Sequence, residues 1–156
     1  MPVSRILIIA AITALPFATS ATAQTTDCRF DEGFCVPFVG CSETTGAYYV
    51  GRSYGQRSGP VAAISNTGRV CQGRWWRNAL GIGRARFTCD DGAKGEARYT
   101  YFDSRSGTAT GKGWTNRNEK LRFWAGHQVL SYVLANEGET KDLTACVQDA
   151  LKAARP

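Results

Sequence analysis

The chain has a single histidine, His127, and no two cysteines spaced as Cys-x-x-Cys. The first scarcity leaves any Ser-His-Asp or Cys-His mechanism only one histidine to use. The second removes the close ligand pairs of a zinc site and the dithiol of a redox enzyme. No metal or cofactor is therefore expected. Past Leu15, no segment is long and apolar enough to cross a bilayer as a helix. No Gly-x-Ser-x-Gly elbow precedes a helix, and no Gly-x-x-x-x-Gly-Lys loop is present to cradle a phosphate. The Gly-rich stretch Thr110-Gly111-Lys112-Gly113 is not followed by a helix. Calcium loops of the EF-hand kind are absent as well.

What the chain does have begins with a leader. Arg5 precedes an apolar run from Ile6 to Leu15, Pro16 breaks the run, and Ala21-Thr22-Ala23 forms a small-x-small cleavage site before Gln24. Residues 1–23 read as a secretory signal peptide, and Asp27 before Cys28 spoils a lipoprotein signal. The expectation is an exported protein, periplasmic or secreted, without a transmembrane segment. In such a compartment thiols oxidise, so Cys28, Cys35, Cys41, Cys71, Cys89 and Cys146 read as a disulfide framework. Residues 24–156, about 130 in number, suit one domain. The formal charge of +6 includes Arg5, so the chain stays basic without the leader.

The segment from Gln24 to about Ser42 is dense in cysteine, glycine and proline and reads as an irregular, disulfide-pinned loop. From Gly46 onward, short aromatic and β-branched runs alternate with Gly, Asn, Asp and Ser clusters, as in an all-β domain. The candidate strands are Ala47–Tyr54, Pro60–Ser65, Arg69–Arg77, Ile82–Cys89, Glu96–Phe102, Thr108–Thr115, Lys120–Ala125 and Gln128–Leu134. Turn signals separate them at Asp90-Asp91-Gly92, at Asp103–Gly107 and at Asn116-Arg117-Asn118. Period-2 alternation needs one covered face, so this antiparallel meander must curl into a small barrel or cover itself. Gly111 and Gly113 share one side of a strand and mark a tight bend or a close backbone approach. Leu143, Cys146, Val147, Ala150, Leu151 and Ala154 then form a helical stripe. It gives a C-terminal helix at about 140–154, capped by Thr140, with Lys152 and Arg155 at its negative end.

Six cysteines allow 15 connectivities. Cys71 and Cys89 fall on successive strands and make the easiest bridge. Cys28, Cys35, Cys41 and Cys146 would then share two, with Cys146 stapling the helix to the β-domain or to the N-terminal loop. Among candidate catalytic groups, His127 and Ser131 lie on one face of a strand but well apart. Asp90, Asp91, Glu96 and Asp103 flank one hairpin strand, and a glycosidase needs only two positioned carboxyls. The turn-forming habit of Asp and Gly accounts for Asp90-Asp91-Gly92 without catalysis. No residue is therefore assigned a catalytic role.

The most informative surface signal is a mixture of arginine and tryptophan. Arg74, Trp75, Trp76 and Arg77 cluster in one strand; Arg84, Arg86, Arg98 and Arg122 occupy the polar sides of three others; Trp114 and Trp124 accompany Lys112 and Arg122. Arginine pairs bidentately with phosphate and carboxylate, and tryptophan stacks on apolar faces and cations. The candidate binding residues are Arg74, Trp76, Arg86, Arg98, Arg122 and Trp124, for an anionic envelope polymer, a glycan or an exported protein. Export separates this face from nucleic acid. The competing explanation is that the tryptophans fill the core and the arginines are merely solvated.

The run Arg86-Phe87-Thr88-Cys89-Asp90-Asp91-Gly92, with Gly95, Gly107–Gly113 and Leu121–Gly126, resembles a pattern in small exported bacterial β-rich proteins without an assigned activity. It covers roughly residues 71–127 and implies no catalytic residues. The strand and turn Phe87–Gly92 are also similar to the opening strand of periplasmic c-type lysozyme inhibitors, which are small disulfide-bonded barrels. That second resemblance implies an inhibitor, although this chain shares the basic charge of such lysozymes, which removes long-range attraction. The reading is a mainly β domain, an antiparallel meander or small barrel with disulfides and a C-terminal helix, acting as a non-catalytic binding or envelope-associated protein. The alternatives are an inhibitor of a secreted hydrolase and a small carbohydrate-active hydrolase.

Overall fold

The structure, a computed structural model, describes residues 35–103, 108–136 and 141–154. The leader and its cleavage site, Cys28, residues 104–107 of one expected turn, the Thr140 cap and Arg155 lie outside the described residues. Eight antiparallel strands follow in chain order: β1 (Cys35–Ser42), β2 (Tyr48–Tyr54), β3 (Ser58–Ser65), β4 (Val70–Arg77), β5 (Gly83–Cys89), β6 (Lys94–Asp103), β7 (Thr108–Thr115) and β8 (Lys120–Ala125). Each pairs with the next, and β1 also pairs with β8, so the sheet is a closed barrel. Helices α1 (Val129–Asn136) and α2 (Lys141–Ala153) complete the chain.

Alternation builds the barrel wall. On β5, Ala85 and Cys89 are buried and Phe87 half-buried, whereas Arg84, Arg86 and Thr88 are exposed. The inward residues form one core around Phe123, whose ring centre lies 5.4 Å from Phe38, 6.3 Å from Phe87 and 6.4 Å from Tyr99. These rings need room. A Cβ on Gly113 would stand 2.5 Å from Phe123 Cε2 and 2.6 Å from the Glu96 carbonyl oxygen, so only glycine admits both neighbours. This is the close approach expected from the Gly111 and Gly113 spacing.

A second core lies outside the barrel. Val39, Cys41, Val50 and Trp124 point outward from the wall and are buried beneath Val129, Tyr132, Val133, Val147 and Ala150 of the two helices. The Cys41–Cys146 disulfide ties β1 to α2, and Cys71–Cys89 joins directly opposed residues of β4 and β5, as the strand assignment anticipates. Cys35 is also disulfide-bonded.

Two expectations are corrected. Residues 35–42 form a strand, although they read as irregular loop. Because β1 is covered on both sides, by the barrel interior and by the helices, five consecutive residues from Phe38 to Ser42 are buried and no polar alternation marks it. Pro37 is accommodated one position before the β1–β8 register begins at Phe38 and Ala125. Residues 129–136 form a helix rather than a strand. Their short apolar run fits either period, and the outer core selects Val129, Tyr132 and Val133, which is helical spacing.

Candidate functional site

The outward side of β4–β8 carries rows of opposed cations. Trp76 of β4 pairs with Arg84 of β5, Arg84 with Arg98 of β6, Arg98 with Lys112 of β7, and Lys112 with Arg122 of β8. Four cations thus stand directly opposite one another on four adjacent strands, across about 14 Å at the usual strand spacing. A neighbouring row runs Arg74, Arg86, Glu96, Trp114 and Lys120 by the same pairings. Arg74, Arg84, Arg86, Arg98, Lys112 and Lys120 are all exposed. The single carboxylate of the two rows, Glu96, accepts from Arg86 Nε at 2.9 Å. Arg74, Arg84, Arg98 and Lys112 have no carboxylate partner among the described residues.

Aromatic surface lies among these charges. Trp114 is 54% exposed in the second row. Trp76 is half-buried, with the Arg86 guanidinium 5.9 Å from its ring centre. Five of the six sequence-proposed binding residues, Arg74, Trp76, Arg86, Arg98 and Arg122, therefore share one face. Trp124 does not join them. It is fully buried under the helices, where Arg122 lies 6.0 Å from its ring centre. Its contribution is to the outer core, and Trp114 is the accessible tryptophan. Trp75 points inward, its indole N–H donating to the Tyr54 carbonyl at 2.6 Å.

Two of the acidic candidates, Asp91 and Glu96, are held in ion pairs. Asp91 accepts from the Ala93 backbone N–H at 3.0 Å, from Arg69 at 3.1 Å and from Arg117 at 2.7 Å, as the turn reading requires. The Ala93 N–H chiefly, and then both guanidinium groups, hold its carboxyl below the ordinary value despite some desolvation. Arg69 also donates to Glu119 at 3.0 Å and to the Tyr49 hydroxyl at 2.9 Å. Burial, reinforced by Glu119, pushes the Tyr49 phenol up. This network seals the barrel end formed by the β1–β2, β3–β4, β5–β6 and β7–β8 connections. Asp103 lies at the far end of β6, about 30 Å away by strand rise, whereas a glycosidase pair stands about 5–10 Å apart.

Among the described residues the opposite end is open. A cavity of about 550 Å³ lies there, lined by Trp75, Arg77, Tyr99, Phe102, Ala109 and His127, with Ser53 and Gly83 between them. Ser131 sits on the exposed side of α1 and does not line it. The sequence Gly51-Arg52-Ser53-Tyr54-Gly55 has the spacing of a nucleophile elbow, but it lies in and directly after β2, ahead of another strand, and Ser53 forms no hydrogen bond with His127. Sequence reasoning misses this cavity because its lining comes from every strand but β3 together. The inward alternation of Trp75, Tyr99 and Ala109 is the available signal.

No protein-family model matches the chain, and a search among curated proteins finds no match. Solved structures do match in outline. A redesigned β-barrel, mFAP1, bound to DFHBI is 16% identical with a TM-score of 0.49, covering 61% of this chain and 94% of that one. A de novo designed fluorescence-activating β-barrel is 15% identical with a TM-score of 0.48, covering 62% of this chain and 93% of that one.

Proposed function

We propose that this is an exported, non-catalytic binding protein whose β4–β8 face holds an anionic polymer or glycan of the cell envelope. The observation that carries the reading is the ladder Arg84, Arg98, Lys112 and Arg122. Like charges directly opposite across a sheet destabilise it, so the fold gains nothing from this arrangement. A polymer bearing regularly spaced carboxylates or phosphates would replace that repulsion with charge-assisted hydrogen bonds to the guanidinium groups. Trp114 and the edge of Trp76 offer flat apolar surface to sugar rings beside the charges. The disulfides and the leader support the periplasm or the outside of the cell as the compartment.

The test is co-sedimentation of the oxidised protein with purified peptidoglycan and with lipopolysaccharide, at low and high salt. Saturable binding that weakens with salt, and is lost with Arg98→Ala and Arg122→Ala, is the expected result. Binding that ignores salt and both substitutions, or no binding in either condition, refutes the proposal.

A further inference from the structure

We infer that the open barrel mouth is a second binding site, for a small amphipathic anion with a flat apolar body and one acidic group. It lies inside the barrel wall and is separate from the outer cationic face.

The barrel is a cup. The Tyr49, Arg69, Glu119 and Asp91 network closes one end. Above it, Phe38, Phe87, Leu121 and Phe123 fill the lower interior and leave only about 40 Å³. The upper interior is different, with Ser53, Gly83, Ala109 and Ala125 standing where bulky residues would complete the packing. The resulting 550 Å³ falls in the range of small-molecule sites. Eight strands give an interior just wide enough for filling side chains or for one small ligand; this barrel does the first in its lower half and leaves the second in its upper half.

The walls select the ligand class. Trp75, Tyr99 and Phe102 supply aromatic surface, and the Trp75 ring is held in place by its hydrogen bond to Tyr54. No Asp or Glu lines the cavity among the described residues. Arg77 does, with its guanidinium 6.0 Å from the Phe102 ring centre and no carboxylate partner among the described residues. The Tyr99 hydroxyl has no hydrogen-bond partner among them either. The phenol is neutral at ordinary pH and desolvation pushes its titration further up, so it serves as a neutral donor. An aromatic slot with a cation at its rim and a phenolic donor in its wall matches an apolar ring system carrying one carboxylate or sulfonate. A cup filled at its base by Phe38, Phe87, Leu121 and Phe123 gives a polymer no path through it and suits a small molecule, so the two sites take different ligands.

Titration of the oxidised protein with anilinonaphthalene sulfonate, followed by dye fluorescence, tests this. Saturable binding is expected in the wild type. Ala109→Phe, which fills the slot, should abolish it with the thermal melt still cooperative. Arg77→Gln, at an exposed position, should weaken the sulfonate about tenfold or more while changing uncharged N-phenylnaphthylamine little. The double change Arg84→Ala and Arg98→Ala should leave both dyes unaffected. Absence of saturable binding overturns the inference. So does dye binding that survives Ala109→Phe but is lost with the Arg84 and Arg98 changes, because the dye would then sit on the outer face. Should Ala109→Phe not fold, equal affinity of the Arg77→Gln variant for the sulfonate overturns it independently.

Discussion

Replacing Arg98 by threonine should make the protein more stable and a poorer binder. Arg98 stands directly between two cations, Arg84 on β5 and Lys112 on β7. Directly opposed Cβ atoms lie about 5 Å apart, and long side chains splay their charges to about 7 Å. Two unit charges at that distance in water repel by about 0.6 kcal/mol. Two such neighbours give about 1 kcal/mol at low salt, falling by about half near 0.1 M salt, where the Debye length is about 10 Å. For a domain of this size that corresponds to a rise in Tm of about 3 °C. Urea unfolding of the wild type and Arg98→Thr at low and high salt measures it. Threonine also favours strands, but that part does not depend on salt, so the salt-dependent difference isolates the repulsion. If Arg98→Thr is less stable than the wild type at low salt, or if its gain does not shrink as salt rises, the ladder is not under electrostatic tension. The ladder then gives no reason to expect a bound polyanion.

Removing the Cys41–Cys146 bridge by Cys41→Ala with Cys146→Ala reopens a separation of 105 residues. Loop entropy predicts a loss of about 4.7 kcal/mol, and urea unfolding should show about 2–5 kcal/mol. Gly113→Ala forces the new methyl group against Phe123 and the Glu96 carbonyl and should cost about 1–3 kcal/mol in the same assay. Asp91, whose folded carboxyl is held below its ordinary value of 3.8, contributes stability that is fully present above that value and is lost as pH falls through the lower folded one. Unfolding midpoints followed from about pH 6 downward should therefore drop, and Asp91→Asn should be less stable at the start of that range with a shallower acid limb.

The strands from β3 to β8 are legible because each has a side that meets water along at least part of its length, and β2 is legible from its aromatic and β-branched run although none of its residues is exposed. The alternation on β5 places Ala85, Phe87 and Cys89 opposite Arg84, Arg86 and Thr88 in the sequence itself, and the opposed Cys71 and Cys89 follow from it. The amphipathic stripe of α2 is legible for the same reason. β1 and α1 are not, since the first has no wet side and the second is too short for its period to be decided without the outer core it packs on. The cationic residues are visible one strand at a time. Their alignment into a ladder depends on register, which turn lengths set and composition does not reveal. Trp124 is misplaced by sequence reasoning because an outward-pointing tryptophan normally meets water, and only the helices laid across β1 and β2 remove it from view.

The pairing of β1 with β8 also has a kinetic side. Phe38 and Ala125 come from the first and last strands, so the sheet has two open edges for as long as its last strand is missing. Such edges are templates for pairing with other chains, and contacts so distant in sequence form slowly. Closing the barrel and forming the Cys41–Cys146 bridge are then late events that seal the same seam from the wall and from the helix side.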